Sequence, residues 1–350
     1  MSLCVQIQKR YGDFLLDADF SAENSQALAL LGASGCGKSV TLKCIAGIHR
    51  PDRGHIELDG RVLFNSERGI CLPPQRRRVG LLFQHYALFP NMTVEQNAAV
   101  CLGRLEKSRR QARLRELFSM LRLEGLERLY PRQLSGGQRQ RAALARILAS
   151  EPQAILLDEP FSALDSYLKW QLELELQDVL ERFGGPVVWV SHDRGEAYRN
   201  CRRVCVLERG KSSPAEDMAE LMANPVSVTA ARLSGCKNYV PARPGRGTRL
   251  VEIPDWRLTL QAAAPWREGV TTLGIRANHI HPAVPGEDNA FPCRAVRVTE
   301  DVFKMLVMLR PEGTEGPLLR MELSKKDWEA LPDKERFSVA VRPEDLMLLE

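Results

Sequence analysis

The segment GASGCGKS, residues 32–39, places glycines, a lysine and a serine in the spacing of a phosphate-binding loop. It follows the apolar run ALALL and precedes VTLKCIAG, whose pattern predicts a helix. Glycines let backbone N–H groups turn toward phosphate oxygens, and the helix N-terminus adds partial positive charge. We predict that Lys38 reaches the β- and γ-phosphates and that Ser39 ligates Mg²⁺. The predicted nucleotide-binding residues of this loop are Gly32, Ala33, Ser34, Gly35, Cys36, Gly37, Lys38, Ser39 and Val40.

Two carboxylates end a second apolar run, AILLDEP. Asp158 is placed to hold Mg²⁺ directly or through water, and Glu159 to polarise an attacking water. Aliphatic residues before an Asp-Glu pair are a weak signal alone, but after a phosphate loop in an α/β chain they become specific. The reaction they predict is phosphoryl transfer from a nucleoside triphosphate to water, with Lys38 and Glu159 as catalytic residues.

A second glycine turn, LSGGQRQR at residues 134–141, opens a strongly helical segment. Its first N–H groups are a second potential anion site, formed by Ser135, Gly136, Gly137 and Gln138. The loop at residues 32–39 already provides the phosphate-binding site for one nucleotide, so the second turn needs another explanation. Two half-sites in one chain either fold together or each complete the site of a second copy, and sequence physics leaves both arrangements open.

The elements that must position these residues form an α/β pattern over residues 1 to about 230. Short apolar runs alternate with helical periodicity, which predicts a mostly parallel sheet covered by helices. The predicted strands are ALALL, AILLD, VVWVS and RVCVLE, and two predicted amphipathic helices have their apolar faces at 114–121 and 172–183.

The composition changes after about residue 235, where YVPARPGRGTR is rich in proline and glycine. Short β-like runs follow, at spacings typical of a small sandwich or barrel. We therefore expect two domains, 1–235 and 236–350. GIRANHI (274–280) and AVRPEDL (340–346) resemble each other faintly, and a repeat and a coincidence both remain open.

The overall composition is that of a globular protein without a membrane span. Lysine and arginine number 49 against 44 acidic residues, a net charge of +5 that is spread along the chain and does not indicate nucleic-acid binding. No stretch approaches the ~20 apolar residues that a spanning helix needs. Nine cysteines without metal-finger spacing favour reduced thiols in a cytosol.

The motifs GASGCGKS, LSGGQ and AILLDEP, in this order, resemble those of the nucleotide-binding subunits of ATP-binding-cassette (ABC) transporters. The resemblance covers residues 1 to about 235. It implies a P-loop NTPase core with a helical signature subdomain, ATP and Mg²⁺ as cofactors, and a head-to-tail homodimer. Each nucleotide would lie between the glycine loop of one subunit and the LSGGQ turn of the other.

The resemblance assigns roles to further residues. Tyr11 would stack on adenine, and Gln84 would sense Mg²⁺ and the attacking water. His192 would contact the γ-phosphate as a catalytic switch. Asp165, in the segment SALD, would reach the partner subunit and its nucleotide.

The sequence segment around Gln84 and the β-rich C-terminal region resemble those of the importer branch of the family. SGCKNYVPAR followed by a β domain is most similar to the molybdate or sulfate members, whose small C-terminal domain is often oligonucleotide-binding-like (TOBE-type). This implies a peripheral ATPase on the inner face of a membrane, working with permease subunits and a solute-binding protein.

We expect uptake of an oxyanion such as molybdate, with sulfate, iron, polyamine or sugar as alternatives. The C-terminal domain would bind the anion as a regulator or only brace the dimer. A soluble ABC ATPase acting on nucleic acid is the alternative from another class; the importer-like segment after Gln84 counts against it, so no nucleic acid is expected.

Overall fold

The structure is a computed structural model that describes residues 2–24, 26–103, 105–162 and 166–350. It divides into two compact units, Met1–Ala219 and Glu220–Glu350. The helix Val228–Leu233, which the sequence analysis placed in the first domain, lies in the second compact unit. The domain boundary after residue 235 stays a prediction.

The first unit contains the predicted α/β pattern. Its strands are β1 (Ser2–Tyr11), β2 (Phe14–Glu23), β3 (Ala27–Leu31), β4 (Arg53–Leu58), β5 (Arg61–Asn65), β6 (Ile70–Cys71), β7 (Val79–Leu82), β8 (Ala154–Asp158), β9 (Val187–Val190), β10 (Arg203–Glu208), β11 (Lys211–Ser212) and β12 (Glu216–Asp217). Its helices are α1 (Lys38–Ala46), α2 (Pro74–Arg77), α3 (Val94–Ala99), α4 (Lys107–Met120), α5 (Gly136–Ala149), α6 (Ser166–Phe183) and α7 (Arg194–Asn200).

The four strands predicted from apolar runs form one parallel block together with β7, which was not predicted, in the order β10-β3-β9-β8-β7. Every residue of β8 and β9 is buried, as expected for strands covered on both faces. Helices α3 and α4 pack on α5, and the apolar residues predicted for α4 are buried. The P-loop fold predicted from the motifs is confirmed.

Most of the other strand pairs in the sheet are antiparallel, which the prediction of a mostly parallel sheet missed; β11 pairs with β2 in parallel. Strand β1 pairs with β2 and β4, and the ladder continues through β5 to β6. Leu3, Val5 and Ile7 are buried and alternate with polar residues, so period-two alternation was the available signal. These side chains join the core beneath the parallel block.

The second unit is β-rich, as predicted. Its strands are β13 (Asn238–Pro241), β14 (Arg243–Pro244), β15 (Leu250–Ile253), β16 (Leu258–Gln261), β17 (Thr272–Ile275), β18 (His281–Pro282), β19 (Phe291–Glu300), β20 (Lys304–Pro311), β21 (Leu319–Ser324), β22 (Arg336–Ala340) and β23 (Leu346–Leu349). Helix α8 (Met218–Ala223) spans the division, followed by α9 (Val228–Leu233) and α10 (Lys325–Glu329). The strands form the ladders β13-β17-β23, β14-β15-β16 and β18-β22-β19-β20-β21 around an apolar core.

GIRANHI and AVRPEDL form turns of the same kind in this unit. The amide of His279 donates to the carbonyl of Arg276, and the amide of Asp345 donates to that of Arg342. The two turns also meet, since His279 Nδ1 and Asp345 Oδ1 lie 2.7 Å apart. The faint likeness in sequence therefore corresponds to two similar and adjacent local structures.

Candidate functional site

The candidate site lies at the carboxyl ends of four neighbouring parallel strands, β3, β9, β8 and β7. The glycine loop follows β3, and Glu159 directly follows β8, while His192 and Gln84 are each the second residue after β9 and β7. Because ligands of open α/β sheets bind beyond the carboxyl ends of the strands, this order alone gathers the predicted residues at one edge.

The backbone of the glycine loop requires its glycines. Gly35 and Gly37 have φ values of +79° and +110°, which other residues rarely adopt. A Cβ on Gly32 would lie 2.2 Å from the carbonyl oxygen of Leu207, so that position tolerates no side chain. The loop conformation therefore depends on glycine at these three positions.

Lys38 is nearly buried, with 7% of its surface exposed. Its Nζ donates to the carbonyl oxygens of Gly32 and Ala33, at 2.8 and 2.9 Å, and lies 3.7 Å from Cys36 Sγ. The ammonium group therefore sits inside the loop, where phosphate oxygens would compete with these carbonyls for it. The loop fits a nucleotide phosphate.

Ser39 and Asp158 are joined across α1 and β8. The Ser39 hydroxyl donates to Asp158 Oδ1 at 2.9 Å. Burial raises the pKa of Asp158 above its usual value, although the Ser39 hydrogen bond acts in the opposite direction. A buried carboxylate beside a hydroxyl, next to a phosphate loop, is the oxygen donor set that Mg²⁺ uses with nucleotides.

Glu159 contacts two of the three other predicted catalytic side chains, Gln84 and His192. Gln84 Nε2 donates to Glu159 Oε2 at 3.2 Å, and His192 Nδ1 lies 3.4 Å from the same oxygen. Glu159 has a φ of +49°, a left-handed conformation that is strained for a residue with a side chain. The His192 side chain is 62% exposed, so it is accessible to a ligand.

A polar network that the sequence analysis missed holds the residues after His192. Asp193 Oδ1 accepts from the amides of Gly195 and Glu196, and so caps the N-terminus of α7. Lys169 Nζ lies 2.6 Å from Asp193 Oδ2 and 2.8 Å from Glu196 Oε2. Trp189 Nε1 donates to the other oxygen of Glu196 at 2.8 Å.

The pKa values in this network favour charged groups. Burial would lower the pKa of Lys169, but the hydrogen bonds to Asp193 and Glu196 outweigh it and raise that pKa above 10.5. Burial would raise the pKa of Asp193, but Lys169 and the backbone amides lower it below 3.8. No local motif signals Lys169; a basic residue one turn into an amphipathic helix reads as a solvated side chain.

The second glycine turn is a capped helix start. Ser135 Oγ accepts from the Gln138 amide, and Gln138 Oε1 accepts from the Ser135 amide. Gly136 begins α5, and a Cβ on Gly137 would lie 2.8 Å from Leu172 Cδ1. Gly137 thus has a packing role against α6 in addition to the predicted anion-binding role.

Two further predicted residues are less connected to this cluster. Tyr11 ends β1 and is 41% exposed, with its ring edge-on to His49 and 5.4 Å from Lys9 Nζ. Its stacking on adenine stays a prediction. Asp165 lies outside the described residues, while Ser162 at the start of the same segment donates to the Glu159 carbonyl.

Among the described residues, no helix is both long enough and apolar enough to cross a membrane. The family model of ABC transporters matches residues 15–162. A solved dimer of MJ0796, a bacterial ABC transporter cassette, is 29% identical and superposes with a TM-score of 0.53, covering 62% of this chain and 99% of that one. A post-hydrolysis state of the same cassette, bound to ADP and Pi, matches at 28% identity with the same TM-score.

Two curated relatives match almost the whole chain. The sulfate/thiosulfate import ATP-binding protein CysA 2 of Chromobacterium violaceum is 39% identical over 90% of this chain and 85% of its own length. The spermidine/putrescine import ATP-binding protein PotA of Rubrobacter xylanophilus is 38% identical over 95% of this chain and 89% of its own length. The similarity therefore extends through both compact units.

Proposed function

This chain belongs to the ABC transporter family of ATPases, and on that premise we propose that it energises the uptake of a small solute as the ATP-binding subunit of an importer. The observation that carries the proposal is the cluster of Lys38, Ser39, Asp158, Glu159 and His192 at one edge of the parallel sheet, in a chain similar to import ATPases along most of its length.

Each side chain has a distinct part in the proposed reaction. Lys38, which contacts the loop carbonyls, would bind the β- and γ-phosphates, and Ser39 and Asp158 would hold Mg²⁺, which would neutralise charge on the phosphates. Glu159 orients and polarises the attacking water, with Gln84 and His192 on the same carboxylate oxygen. The glycine loop supplies N–H donors from a rigid backbone.

The direct test is the rate of MgATP hydrolysis by wild-type protein and by Lys38→Ala protein. We expect slow hydrolysis by the isolated wild-type chain and loss of it in the variant, with Lys107→Ala, an exposed lysine at the start of α4, as the control. Normal hydrolysis by Lys38→Ala protein would contradict the site.

We propose that the LSGGQ turn completes the nucleotide site of a second copy. A solved cassette that superposes on this chain is a dimer, and Gly136 and Gly137 present a capped helix N-terminus. Light scattering of Glu159→Gln protein tests this, since slowed hydrolysis should trap the closed pair. A shift from monomer toward dimer only with MgATP supports the proposal; an unchanged mass with ATP bound opposes it.

For the solute we propose sulfate or a similar oxyanion. The sequence analysis named molybdate first. The relatives favour sulfate instead, because CysA 2, a sulfate/thiosulfate import protein, matches this chain over both compact units. Polyamine import is the second candidate, since PotA matches a still larger share of the chain. Uptake of labelled sulfate, molybdate and putrescine by membrane vesicles carrying the reconstituted complex separates these candidates.

The remaining parts of the proposal concern location and regulation. Permease subunits would hold the chain at the inner face of the membrane, together with a solute-binding protein. The β-rich region from residue 236 onward would bind the anion and slow hydrolysis, or only brace the dimer. Calorimetric titration with sulfate, molybdate and tungstate distinguishes the two roles. If none of the three anions gives a heat of binding, only the role as a brace of the dimer is left.

A further inference from the structure

Lys169 connects two helices beside the candidate site. It lies one turn into α6, and its ammonium group contacts carboxylates of the turn before α7 and of α7 itself. Its side chain is only 20% exposed, and Glu196 is 3% exposed. Ion pairs between exposed side chains contribute little to stability. Because Lys169 is mostly buried and contacts two carboxylates, we attribute its position to the packing of the fold.

The two carboxylates have different surroundings. Glu196 is fixed from its other side by the indole N–H of Trp189, a side chain with no exposed surface. Asp193 caps α7 with one oxygen and gives the other to Lys169, while its amide donates to Ser191 Oγ at 3.0 Å. The backbone on both sides of His192 is therefore held through these contacts.

Among the residues that the structure describes, the His192 ring is not held by comparable contacts. Its ring is largely exposed, and the described contact of its Nδ1 is Glu159 Oε2 at 3.4 Å. Where this ring points is thus decided by the backbone of residues 191–193. Loss of Lys169 would leave Glu196 as a buried carboxylate without its cation, a strongly unfavourable state that the turn would relieve by moving.

We propose that Lys169 is a positioning residue for hydrolysis, which sets the place of His192 beside Glu159 by clamping Asp193 and Glu196 to α6. The clamp rests on the proposed function, because it matters for catalysis only if His192 and Glu159 act on a nucleotide. It does not touch the nucleotide loop, so it acts on the rate of hydrolysis and leaves ATP binding unchanged.

The second contact between the helices supports this assignment. Glu173, one turn further along α6, accepts hydrogen bonds from Arg199 and Asn200 near the end of α7. This contact joins the far end of α7 to α6 independently of Lys169. The Arg199 guanidinium is also close enough to Asp193 and Glu196 to interact with them electrostatically. The two helices would therefore stay packed in a Lys169 variant, and the change would be confined to the turn.

The experiment is a double-mutant cycle between Lys169→Met and His192→Ala, read as single-turnover phosphate release, with the ATP dissociation constant measured separately. We expect Lys169→Met to slow release by at least about tenfold, since small misplacements of catalytic groups cost up to ~10²-fold, with the dissociation constant changed by less than about twofold. In the His192→Ala background, Lys169→Met should add no further loss.

Two more variants keep the test interpretable. Lys169→Arg retains the cation and should recover most of the rate, whereas Gln171→Ala, an exposed residue on the same helix, should behave as wild type. If Lys169→Met protein does not fold, Lys169→Met/Glu196→Gln removes both charges and takes its place in the cycle.

Three results would overturn the inference. Lys169→Met could slow phosphate release equally in the wild-type and His192→Ala proteins, it could weaken only ATP binding, or it could leave the wild-type rate unchanged. Those results are distinct from a failure of the proposed function. That failure would appear as absent hydrolysis in wild-type protein, or as hydrolysis that persists without Lys38.

Discussion

The hydroxyl of Ser39 donates a 2.9 Å hydrogen bond to Asp158, which ties the first turn of α1 to the end of β8. The two residues are far apart in sequence and belong to different motifs. Their contact places a hydroxyl and a carboxylate together next to the glycine loop. The first prediction depends on the environment of that carboxylate.

Asp158→Asn should stabilise the protein at pH 7 in the absence of Mg²⁺ and nucleotide. Burial raises the folded-state pKa of Asp158 above 3.8, so its ionised form opposes folding at neutral pH. The stability of wild-type protein relative to the variant should therefore rise as the pH falls through the folded pKa toward 3.8. Urea unfolding of both proteins between pH 4 and 7 measures this difference, and a constant difference would refute it.

Glu159 should show a conflict between stability and activity. Its φ of +49° costs a non-glycine residue about 1–2 kcal/mol, so Glu159→Gly should be more stable than Glu159→Ala by about that amount. Both variants lack the carboxylate, and both should lose hydrolysis by ~10²–10⁴-fold. Denaturant unfolding and phosphate release measure the two effects.

Glu151 provides the matched control for this comparison. It has the same φ of +49° at an exposed position after α5. Glu151→Gly and Glu151→Ala should therefore differ in stability in the same direction, with wild-type rates of hydrolysis in both. A Glu159→Ala protein as stable as Glu159→Gly would show that strain is not stored at this position.

Alkylation of Cys36 should abolish ATP binding. The thiol is buried inside the glycine loop, 3.7 Å from Lys38 Nζ, so an added alkyl group would occupy the space of the phosphates. Bound MgATP should protect wild-type protein, and Cys36→Ser protein should keep its binding after treatment. Cys4, Cys71 and Cys101 are exposed and serve as internal controls for labelling. Unchanged nucleotide affinity after complete Cys36 modification, verified by mass, would disprove the prediction.

Arg276→Met should destabilise the second compact unit by about 2–3 kcal/mol. The guanidinium donates to the carbonyl of Ser234 at 2.6 Å, to its hydroxyl at 3.1 Å, and to the carbonyl of Met222, so it binds the ends of α8 and α9. Hydrogen bonds from a charged donor contribute about 1.5–3 kcal/mol, and their removal leaves carbonyls unpaired.

Calorimetric unfolding of Arg276→Met protein should show this loss in the transition of the second unit. Arg243→Met is the control, because Arg243 is exposed and pairs with Glu252 at the surface, where a pair contributes ~0–1 kcal/mol. Equal effects of the two substitutions would mean that the Arg276 contacts contribute no more than a surface pair.

At residues 220–235 the predicted domain boundary and the division into compact units differ, and the boundary after residue 235 stays a prediction. The helical pattern of these residues continues that of the preceding domain, and the change in composition comes only after Gly235. In the structure, a residue some forty positions later binds the ends of both helices and groups them with the β-rich unit. No local pattern in the sequence predicts the contacts of these helices with Arg276.

The sequence by itself determined the glycine loop, the strands β3, β8, β9 and β10 of the parallel block, and the β-rich C-terminal region. These features depend on neighbours within a few residues: the glycines that permit the loop and the continuous apolar run of β8. Because their physical cause is local, a pattern of nearby residues in the sequence predicts them.

Only the tertiary structure decided which side chains meet. The bond between Ser39 and Asp158, the clamp of Lys169 on Asp193 and Glu196, and the contact that excludes a side chain at Gly137 all join residues distant in sequence. Strand order and helix packing create these contacts. A charged residue such as Lys169 has the same local signal whether it faces water or a buried carboxylate, so its role follows from the fold.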